Sequence, residues 1–465
     1  MSDKIYYFEE RSAAFYALGL MKKSGKPVAI ITTSGTAAAE LLPATIESYY
    51  QGLPLILITA DRPKAYRGSG APQAIHQVGL YSHYIEKFFD WDVTTKSFDV
   101  ETRLQMPLHF NICFDEPLLD KKTDMKVDSK VQTLEKQFFS KITEAEISQI
   151  KNPLIIVGQI EEYQKSRVIQ FIKETKAPVY LESLSQLRGE VSIDDFVIQS
   201  TDSLIKKIFQ KKWCNSVIRI GSVPTLRFWR DLEVDFKEID VFNFTDQNFT
   251  GLARKTKKYR LEFSVGFDSK NSYLSKIKEL DIILQKQKLN LLDQFPLSQP
   301  NFVRKLSNAI SDKPLYLGNS LPIREWDHFA ASDSLKQNIF ANRGANGIDG
   351  QISTYLGWAG AFPVSYCFVG DLTAMYDLAA LGLNSNCNSI FQVVVMNNFG
   401  GHIFKRVFKD DRFLNSHQVE FASWAKMWSW NYQLVKSLED FEKILSPYNK
   451  SIIEIQPDLN QTEMF

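Results

Sequence analysis

The chain has 465 residues, of which 44% are hydrophobic and 23% are charged, values typical of a globular protein with several domains. Its 55 Lys and Arg residues balance 54 Asp and Glu residues, and the net charge of +1 gives no general attraction to nucleic acid or acidic membranes. The four cysteines form no CxxC pair and no apolar run approaches the roughly 18 residues that span a bilayer, so we expect a cytoplasmic protein without a zinc site, disulfides or membrane insertion.

The first part of the chain alternates short apolar runs with helical patterns, which predicts a parallel sheet covered by helices. We predict strands at 5–8, 28–32 and 55–59 and helices at 12–23 and from 36 to about 50. Ligands of such sheets bind at the carboxyl ends of the strands. We therefore expect one rim to carry Glu10, Ser34, Thr36 and Arg62.

Two features of this part allow more than one interpretation. Glu10 begins a predicted helix, where an acidic side chain is favoured by the helix dipole without any further role. The Gly/Pro stretch at 70–77 holds two glutamines and His76, which is typical of a loop that faces a substrate but also of an ordinary surface loop.

The middle of the chain predicts a second α/β domain. The charged segment 120–132 is interpreted as a linker. From Pro153 the alternation resumes, and no strand is followed by GxGxxG, so a dinucleotide site is not supported. The predicted strands lie at 153–158, 177–183, 216–221 and 240–244, and the predicted helices at 161–175, 202–210, 227–232 and 272–288.

The most informative stretch is a predicted strand–helix–strand unit at 364–369, 372–383 and 391–396. Because the strands are parallel neighbours, Asp371 and Asn398 should meet at one edge of the sheet. A carboxylate, an amide oxygen and the carbonyl of Gly400 suit Mg²⁺, which shares its ligands with phosphate oxygens, so a diphosphate ligand is implied. The alternative is that Asp371 only caps the next helix.

Several arginines follow predicted strands. Arg324, with Ser320, comes after one strand of the last domain, and Arg343 lies in a glycine-rich turn after the next. Together with Arg62 they indicate a substrate rich in carboxylates, since guanidinium groups bind carboxylates in a bidentate manner.

These motifs together resemble the 2-succinyl-5-enolpyruvyl-6-hydroxy-3-cyclohexene-1-carboxylate synthases of menaquinone biosynthesis, a family of thiamine-diphosphate enzymes. The likeness spans nearly the whole chain. It is carried, in this order, by EERSAAFYALGL, TTSGTAAAELLPATIESYY, LPLILITADRP, GAPQAIHQ, GNSLPIR, NRGANGIDG, VGDLTAMYDL and NNFGGHIF.

The resemblance implies an α/β protein of three doubly wound parallel-sheet domains of the thiamine-diphosphate-binding fold type. The implied domains are a pyrimidine-binding domain at 1–125, a central domain at 150–265 and a diphosphate-binding domain at 298–465. Active sites of the family lie between the first domain of one subunit and the third of another, which implies a homodimer or homotetramer.

The implied activity uses thiamine diphosphate with Mg²⁺ or Mn²⁺ to decarboxylate 2-oxoglutarate and to add its succinyl unit to isochorismate. Glu10 is then the catalytic carboxylate at the aminopyrimidine ring. The metal ligands are Asp371, Asn398 and Gly400. The cofactor-binding residues are Ser34, Gly35, Thr36, Ile348, Gly370, Asp371, Leu372, Asn398, Gly400 and Ile403. The substrate-binding residues are Arg62, Gln73, Arg227, Ser320, Arg324, Arg343 and Phe404.

The chain departs from the family pattern in two places. Leu372 stands where many thiamine-diphosphate enzymes have Gly. The family also has a strand and a substrate-binding Ser-Pro-Gly-Ser-Arg loop before the FEER block, so we expect roughly 40–50 further residues upstream. Alternatively, Arg67 or Lys64 reaches the substrate instead. Two other functions stay open, namely another thiamine-diphosphate decarboxylase or acetolactate-type synthase, and a truncated non-catalytic homologue.

Overall fold

The computed structural model of the chain describes residues 4–92, 95, 97–115, 128–133, 139–261, 271–331, 338–384, 388–405, 408, 410–443 and 450–465. The chain folds into two compact units. Unit 1 comprises Met1–Gln137, Asn342–Pro363 and Thr373–Ser389, and unit 2 comprises Phe138–Ala341, Val364–Leu372 and Ile390–Phe465.

Strands and helices alternate through most of the described residues. The strands are β1 (Val28–Thr32), β2 (Leu55–Asp61), β3 (Lys87–Trp91), β4 (Ser97–Thr102), β5 (Leu108–Cys113), β6 (Asp128–Thr133), β7 (Pro153–Val157), β8 (Val179–Leu181), β9 (Val197–Ile198), β10 (Ser216–Ile220), β11 (Asp240–Phe244), β12 (Lys258–Tyr259), β13 (Leu315–Leu317), β14 (Ile339–Phe340), β15 (Val364–Gly370), β16 (Ile390–Met396), β17 (Asn431–Val435) and β18 (Ser451–Ile455). The helices are α1 (Glu10–Ser24), α2 (Thr36–Ala39), α3 (Leu42–Gln51), α4 (Glu144–Ile147), α5 (Lys165–Thr175), α6 (Asp202–Gln210), α7 (Arg227–Asp231), α8 (Leu274–Gln294), α9 (Gln299–Ala309), α10 (Leu321–Phe329), α11 (Gln351–Ala359), α12 (Asp371–Tyr376), α13 (Ala422–Met427), α14 (Leu438–Lys443) and α15 (Leu459–Thr462).

Unit 1 contains a parallel sheet in the order β1-β2-β5-β3 and a separate pair of strands, β4 and β6. Helix α1 packs closely on α11, which comes from a distant part of the sequence. Two glycines permit this approach: a Cβ atom at Gly19 would lie 2.1 Å from the carbonyl oxygen of Thr354, and one at Gly357 would lie 2.2 Å from that of Tyr16. The crossing therefore requires glycine on both helices.

Unit 2 contains two parallel sheets of six strands each, in the orders β12-β11-β10-β7-β8-β9 and β14-β13-β15-β16-β18-β17. Their central strands are apolar and β-branched and are buried along most of their length, as expected for strands that helices cover on both faces. The prediction of an α/β protein with three parallel sheets of the thiamine-diphosphate type is confirmed. The three domain boundaries given above stay a prediction.

The structure corrects four details of the predicted elements. Residues 5–8 form no strand, and the Tyr7 hydroxyl instead donates a hydrogen bond to the Ala379 carbonyl. The helix predicted at 36–50 is divided into α2 and α3, since Pro43 cannot continue a helix from the preceding turn. The helix predicted at 372–383 ends at Tyr376, and a 3₁₀ turn follows at Ala380–Asn384. Residues 128–132 of the predicted linker lie in β6, and 120–127 lie outside the described residues.

Within the described part of the chain, no helix combines the length and the apolar character needed to cross a membrane.

Candidate cofactor and metal site

Two neighbouring strands of unit 2 end side by side. β15 and β16 pair in parallel with Gly370 opposite Met396, so Asp371 and Asn398 both come just after a strand end. We call this place, with Asp371, Asn398 and Gly400, the oxygen edge. The sequence predicted that these strand ends would meet, and the continuous burial of both strands is that of parallel neighbours inside a covered sheet.

Asp371 is 2% exposed and is held by several groups. Its Oδ1 accepts a hydrogen bond from the backbone N–H of Leu372 (2.6 Å), and its Oδ2 accepts one from that of Gly400 (2.9 Å). Burial raises the pKa of this carboxyl group, and the two N–H donors and His417 oppose the rise. The hydrogen bond to Leu372 is the helix-capping interaction of the alternative interpretation, but it occupies only Oδ1.

Three oxygen atoms converge at the oxygen edge. Asn398 Oδ1 lies 2.7 Å from the carbonyl oxygen of Gly400 and 3.3 Å from Asp371 Oδ2. Three acceptors that face one another are unfavourable unless a cation or a proton lies among them. A rotation of the Asn398 amide by 180° would relieve the repulsion, because Nδ2 would then donate to both neighbours.

A chain of hydrogen bonds opposes that rotation. Gln299 Nε2 donates to both carboxylate oxygens of Glu325, at 2.8 and 2.7 Å, so Gln299 Oε1 must face Asn398. This oxygen accepts a hydrogen bond from Asn398 Nδ2 at 2.9 Å. The Asn398 oxygen is thereby directed towards Asp371. We call Glu325, Gln299 and Asn398 the amide relay.

The loop after β16 is built to expose a carbonyl oxygen. Asn397 Oδ1 accepts a hydrogen bond from the backbone N–H of Phe399 (3.1 Å) and closes a tight turn. Gly400 follows with φ +151°, and a Cβ atom there would lie 2.7 Å from the Leu414 carbonyl oxygen. Only glycine fits this position, and its carbonyl oxygen can approach a ligand.

His417 is a further neighbour of the oxygen edge. Its Nδ1 accepts a hydrogen bond from the backbone N–H of Val419 (3.1 Å), so in the neutral ring Nε2 carries the proton. Nε2 lies 3.2 Å from Asp371 Oδ2. Nε2 makes no hydrogen bond to the described residues, so its effect on the nearby carboxylate is electrostatic and favours the ionised form.

The donor set fits a hard divalent cation. Adjacent ligands of octahedral Mg²⁺ lie about 3.0 Å apart, since the metal–oxygen distance is about 2.1 Å. The two oxygen–oxygen distances given above bracket this value. One carboxylate, one amide and one carbonyl leave further positions for water and diphosphate oxygens. The described ranges contain no cluster of three His, Cys, Asp or Glu side chains that could hold a metal, so the oxygen edge relies on amide and carbonyl oxygens beside its one carboxylate.

Other predicted residues of unit 2 lie at the same sheet edge or apart from it. Gly370 and Leu372 flank Asp371, and Ile403 and Phe404 lie in a 3₁₀ turn after Gly400, with Phe404 42% exposed. Ser320 follows β13, the neighbour of β15, at φ +76°, a strained value for a residue other than glycine. Arg324 Nη1 donates to the Ser320 carbonyl (2.6 Å).

Arg227 lies at the start of α7, which follows β10. It is exposed, and its Nε donates to Asp231 Oδ1 (3.2 Å) on the same helix.

In unit 1, helix α1 begins at Glu10, but another residue caps it. Glu9 accepts hydrogen bonds from the backbone N–H groups of Arg11 (3.2 Å) and Ser12 (3.0 Å). Glu10 is half-buried, and its carboxylate has no hydrogen-bond partner among the residues that the structure describes. Glu10 lies in the first turn of α1, so the helix-dipole interpretation stays open beside the catalytic one.

The other predicted residues of unit 1 form a rim at the ends of β1 and β2. Arg62 Nη2 donates to Gln73 Oε1 (3.4 Å), which brings two predicted substrate ligands together. Ser34 is buried and Thr36 is exposed at the start of α2. Gly35, at φ +83°, donates its N–H to Gln77 Oε1 (3.2 Å).

The glycine-rich turn that carries Arg343 and Ile348 is fastened to α3. The buried carboxylate of Glu47 accepts hydrogen bonds from the backbone N–H groups of Gly344 and Ala345, both at 2.7 Å. Burial raises the pKa of Glu47, while these hydrogen bonds, Gln51 and the charge of Arg343 oppose the rise. Glu47 therefore fixes the turn on which both predicted ligands lie.

The suggested substitutes for the upstream loop are engaged elsewhere. Arg67 binds Asp90 with two hydrogen bonds (2.9 and 2.7 Å) and approaches Asp61 at 3.2 Å. Lys64 pairs with Asp92 at 2.9 Å. A role for either side chain in substrate binding would require these ion pairs to break.

Sequence reasoning missed Gln299, Glu325, His417 and Glu47. The first two lie far upstream of Asn398, and His417 follows it at a distance that matches no motif. Glu47 lies inside the block TTSGTAAAELLPATIESYY, but nothing in that block indicated that its carboxylate would bind a distant turn.

The chain was compared with known proteins. A family model described as "Thiamine pyrophosphate enzyme, N-terminal TPP binding domain" matches residues 5–80. The chain is 42% identical to the 2-succinyl-5-enolpyruvyl-6-hydroxy-3-cyclohexene-1-carboxylate synthase of Bdellovibrio bacteriovorus, over 99% of this chain and 90% of that protein. It is 35% identical to the protein of the same name from Akkermansia muciniphila, over 98% and 89%, and 32% identical to that from Staphylococcus epidermidis, over 85% and 75%.

Proposed function

The chain belongs to the 2-succinyl-5-enolpyruvyl-6-hydroxy-3-cyclohexene-1-carboxylate synthase family, and from this premise we propose that it is a thiamine-diphosphate-dependent transferase of menaquinone biosynthesis. It joins the succinyl unit of 2-oxoglutarate to isochorismate with loss of CO₂. The observation that carries the proposal is the convergence of three oxygens from Asp371, Asn398 and Gly400, where a metal-bound diphosphate would be held.

Asp371, Asn398 and the Gly400 carbonyl hold Mg²⁺ or Mn²⁺ in this proposal, and the amide relay keeps the Asn398 oxygen directed at the metal. Thiamine diphosphate, when bound, supplies an acidic thiazolium carbon that attacks a 2-oxo acid and accepts the electrons that decarboxylation releases. Gly370, Leu372 and Ile403 lie beside the oxygen edge and would contact the cofactor, as would Ser34, Gly35, Thr36 and Ile348 of unit 1.

Glu10 holds and moves a proton at the aminopyrimidine ring. A half-buried carboxyl group without a protein partner can share its proton with a ring nitrogen, which general acid–base catalysis requires. Glu9 caps the helix instead, so Glu10 is available for this role.

Both proposed substrates are dicarboxylates, and the proposed substrate ligands are mostly cations. Guanidinium groups recognise carboxylates through paired hydrogen bonds, and a cationic set would disfavour the small monocarboxylates of acetolactate-type enzymes. The ligands in this proposal are Arg62, Gln73, Arg227, Ser320, Arg324, Arg343 and Phe404.

We also propose a cytoplasmic homodimer or homotetramer, an assembly that the family resemblance implies. Light scattering coupled to size-exclusion chromatography measures the mass directly. A monomer in the presence of thiamine diphosphate and Mg²⁺ would contradict it.

Turnover tests the whole proposal. The purified chain receives thiamine diphosphate, Mg²⁺, 2-oxoglutarate and isochorismate, and the adduct and CO₂ are measured by mass spectrometry. A parallel reaction replaces 2-oxoglutarate with pyruvate. Preferred use of pyruvate would indicate an acetolactate-type enzyme, and cofactor binding without turnover of either acid would indicate a non-catalytic homologue.

A further inference from the structure

Unit 2 contains a cavity of about 530 Å³ that the proposed activity does not use. Its lining comes from β8 and β9, at the edge of the sheet β12-β11-β10-β7-β8-β9, and from helix α8 and the end of α10. Its lining includes the apolar residues Leu181, Ile198 and Ala330. The volume is within the range of about 300–1,000 Å³ that small-molecule sites occupy.

The charged part of the lining is mostly cationic. Four basic side chains line the cavity, against two carboxylates, Asp194 and Asp327. Asp327 is already engaged, because its Oδ1 accepts hydrogen bonds from Ser183 Oγ (2.6 Å) and from Arg188 Nη2 (3.1 Å). The basic residues are Arg188, Lys278, Lys288 and Arg304.

Lys288 and Arg304 retain unused binding capacity. Lys288 Nζ donates one hydrogen bond, to the carbonyl of His328 (2.8 Å), although an ammonium group has three donors. The Arg304 guanidinium has no hydrogen-bond or ion-pair partner within the described part of the chain. Two cations therefore face the cavity with most of their donors unpaired.

The charges around Lys288 also favour a bound anion. Burial and the nearby charges of Arg188 and Arg304 together lower the pKa of Lys288 to about 8, and Asp281 opposes them. A buried ammonium group beside two guanidinium groups lacks a counter-charge. A bound anion would supply it.

We propose that this cavity binds a small organic anion. Lys288 and Arg304 hold its phosphate or carboxylate group, and its apolar body packs against Leu181, Ile198 and Ala330. An organic phosphate and an aryl carboxylate share this chemistry, and the experiment distinguishes them.

Calorimetric titration of the cofactor-loaded protein provides the test, with phenyl phosphate, benzoate, inorganic phosphate and neutral benzyl alcohol as probes. We expect saturable binding of phenyl phosphate or benzoate with one molecule per chain, and much weaker binding of the alcohol. Whichever of the two anions binds more tightly identifies the acidic group. Absence of saturable binding of both up to about 10 mM, or equal affinity for inorganic phosphate, would overturn the proposal.

Matched variants locate the binding. Lys288→Gln and Arg304→Gln should each weaken anion binding by about tenfold or more, since each removes a charge-assisted hydrogen bond. Lys286→Gln, on the same helix, and Lys305→Gln, next to Arg304, are controls, because both side chains are exposed and absent from the cavity lining. Equal losses in the controls would show a surface charge effect and refute the site.

A measurement on the unmodified protein removes any dependence on folding of the variants. Trace acetylation near pH 8, read by peptide mass spectrometry, compares the reactivity of Lys288 with that of Lys286. We expect the bound anion to protect Lys288 by about tenfold and to leave Lys286 unchanged. Equal reactivity of Lys288 with and without a saturating anion would contradict the proposal.

Discussion

The oxygen edge of unit 2 and the rim of unit 1 carry the two halves of the proposed chemistry, and they are built differently. At the oxygen edge, backbone N–H groups and His417 contact the Asp371 carboxylate, and the amide relay orients the Asn398 amide. The oxygens that would bind a metal are thus positioned before any ligand binds. In unit 1, the Glu10 carboxylate has no hydrogen-bond partner among the described residues, and at the rim the Arg62 guanidinium makes two long hydrogen bonds, of 3.3 and 3.4 Å.

The difference matches what each region does in the proposal: the oxygen edge binds a cation, and the residues of unit 1 move a proton and bind substrate. A small cation requires ligands at fixed distances, so preorganisation contributes directly to its affinity. A side chain that moves a proton or clasps a substrate must leave a bonding position open until the ligand binds. We therefore expect substitutions at the oxygen edge to impair binding, and substitutions at the rim to impair the reaction.

The largest expected effect is that of Asp371→Ala. The substitution removes the one formal charge among the proposed metal ligands. Two opposite unit charges about 4 Å apart attract each other by about 4 kcal/mol at an effective dielectric constant of about 20. Calorimetric titration with thiamine diphosphate and Mg²⁺ should show affinity reduced by about three orders of magnitude. Asp410→Ala, which removes an exposed carboxylate paired with Arg412, is the control. A change within about threefold for Asp371→Ala would refute the metal assignment.

Glu10→Gln should slow the reaction and leave cofactor binding largely intact, the reverse of Asp371→Ala. Cofactor affinity should stay within about tenfold of the unmodified protein, whereas deprotonation of the thiazolium C2 should slow by about 10²–10⁴-fold. Hydrogen–deuterium exchange at C2, followed by NMR, measures this directly. Glu9→Gln is the matched control, because it alters the cap of the same helix and should spare C2 exchange. If both variants exchange equally slowly, the helix start rather than Glu10 is responsible.

Gln299→Ala tests whether the amide relay orients Asn398. Loss of the relay frees the Asn398 amide to rotate and to present its nitrogen to Asp371, so affinity for Mn²⁺ should fall by about 10–100-fold. Electron paramagnetic resonance of free Mn²⁺ reports the affinity without turnover. Gln287→Ala, at an exposed position of α8, is the control. Unchanged Mn²⁺ affinity in the Gln299 variant would mean that Asn398 needs no support.

The smallest effect, on stability rather than binding, is expected for Glu47→Gln. The amide can accept only one of the hydrogen bonds from Gly344 and Ala345, so about 1–3 kcal/mol of stability should be lost. Because the folded pKa of Glu47 is raised, the folded protein favours the protonated form. This group's contribution to stability is therefore highest below the usual glutamate pKa and falls as the pH rises through the folded value.

Urea unfolding of the unmodified protein and of Glu47→Gln, at several pH values from 4 upward, checks this prediction. The difference in stability between the two proteins should be largest at low pH and shrink as the pH rises. A constant difference across the range would show that Glu47 does not titrate in this way.

Features encoded within one short stretch of sequence could be predicted, whereas features that depend on residues far apart in the sequence could not. The β15–α12–β16 unit was predictable because its strands are apolar and β-branched and its polar residues directly follow them. The amide relay was not predictable, since Gln299 is ordinary at a helix start and gains its meaning only from Glu325 and Asn398. The strand predicted at 5–8 was wrong because an apolar run does not reveal whether a neighbouring strand is available to pair with it. Competition between Glu9 and Glu10 for the helix cap was likewise invisible without the geometry.

The crossing of α1 and α11 has a consequence for how the chain is made. Helix α1 is synthesised long before α11, which covers one of its faces, and long before the Ala379 carbonyl that binds Tyr7 372 positions away. Unit 1 cannot be completed until residues up to Ser389 have been translated. Contacts so distant in sequence close large loops and form slowly. During synthesis the nascent N-terminal segment therefore carries exposed apolar surface, which makes it a natural client for chaperones that bind unfolded chains.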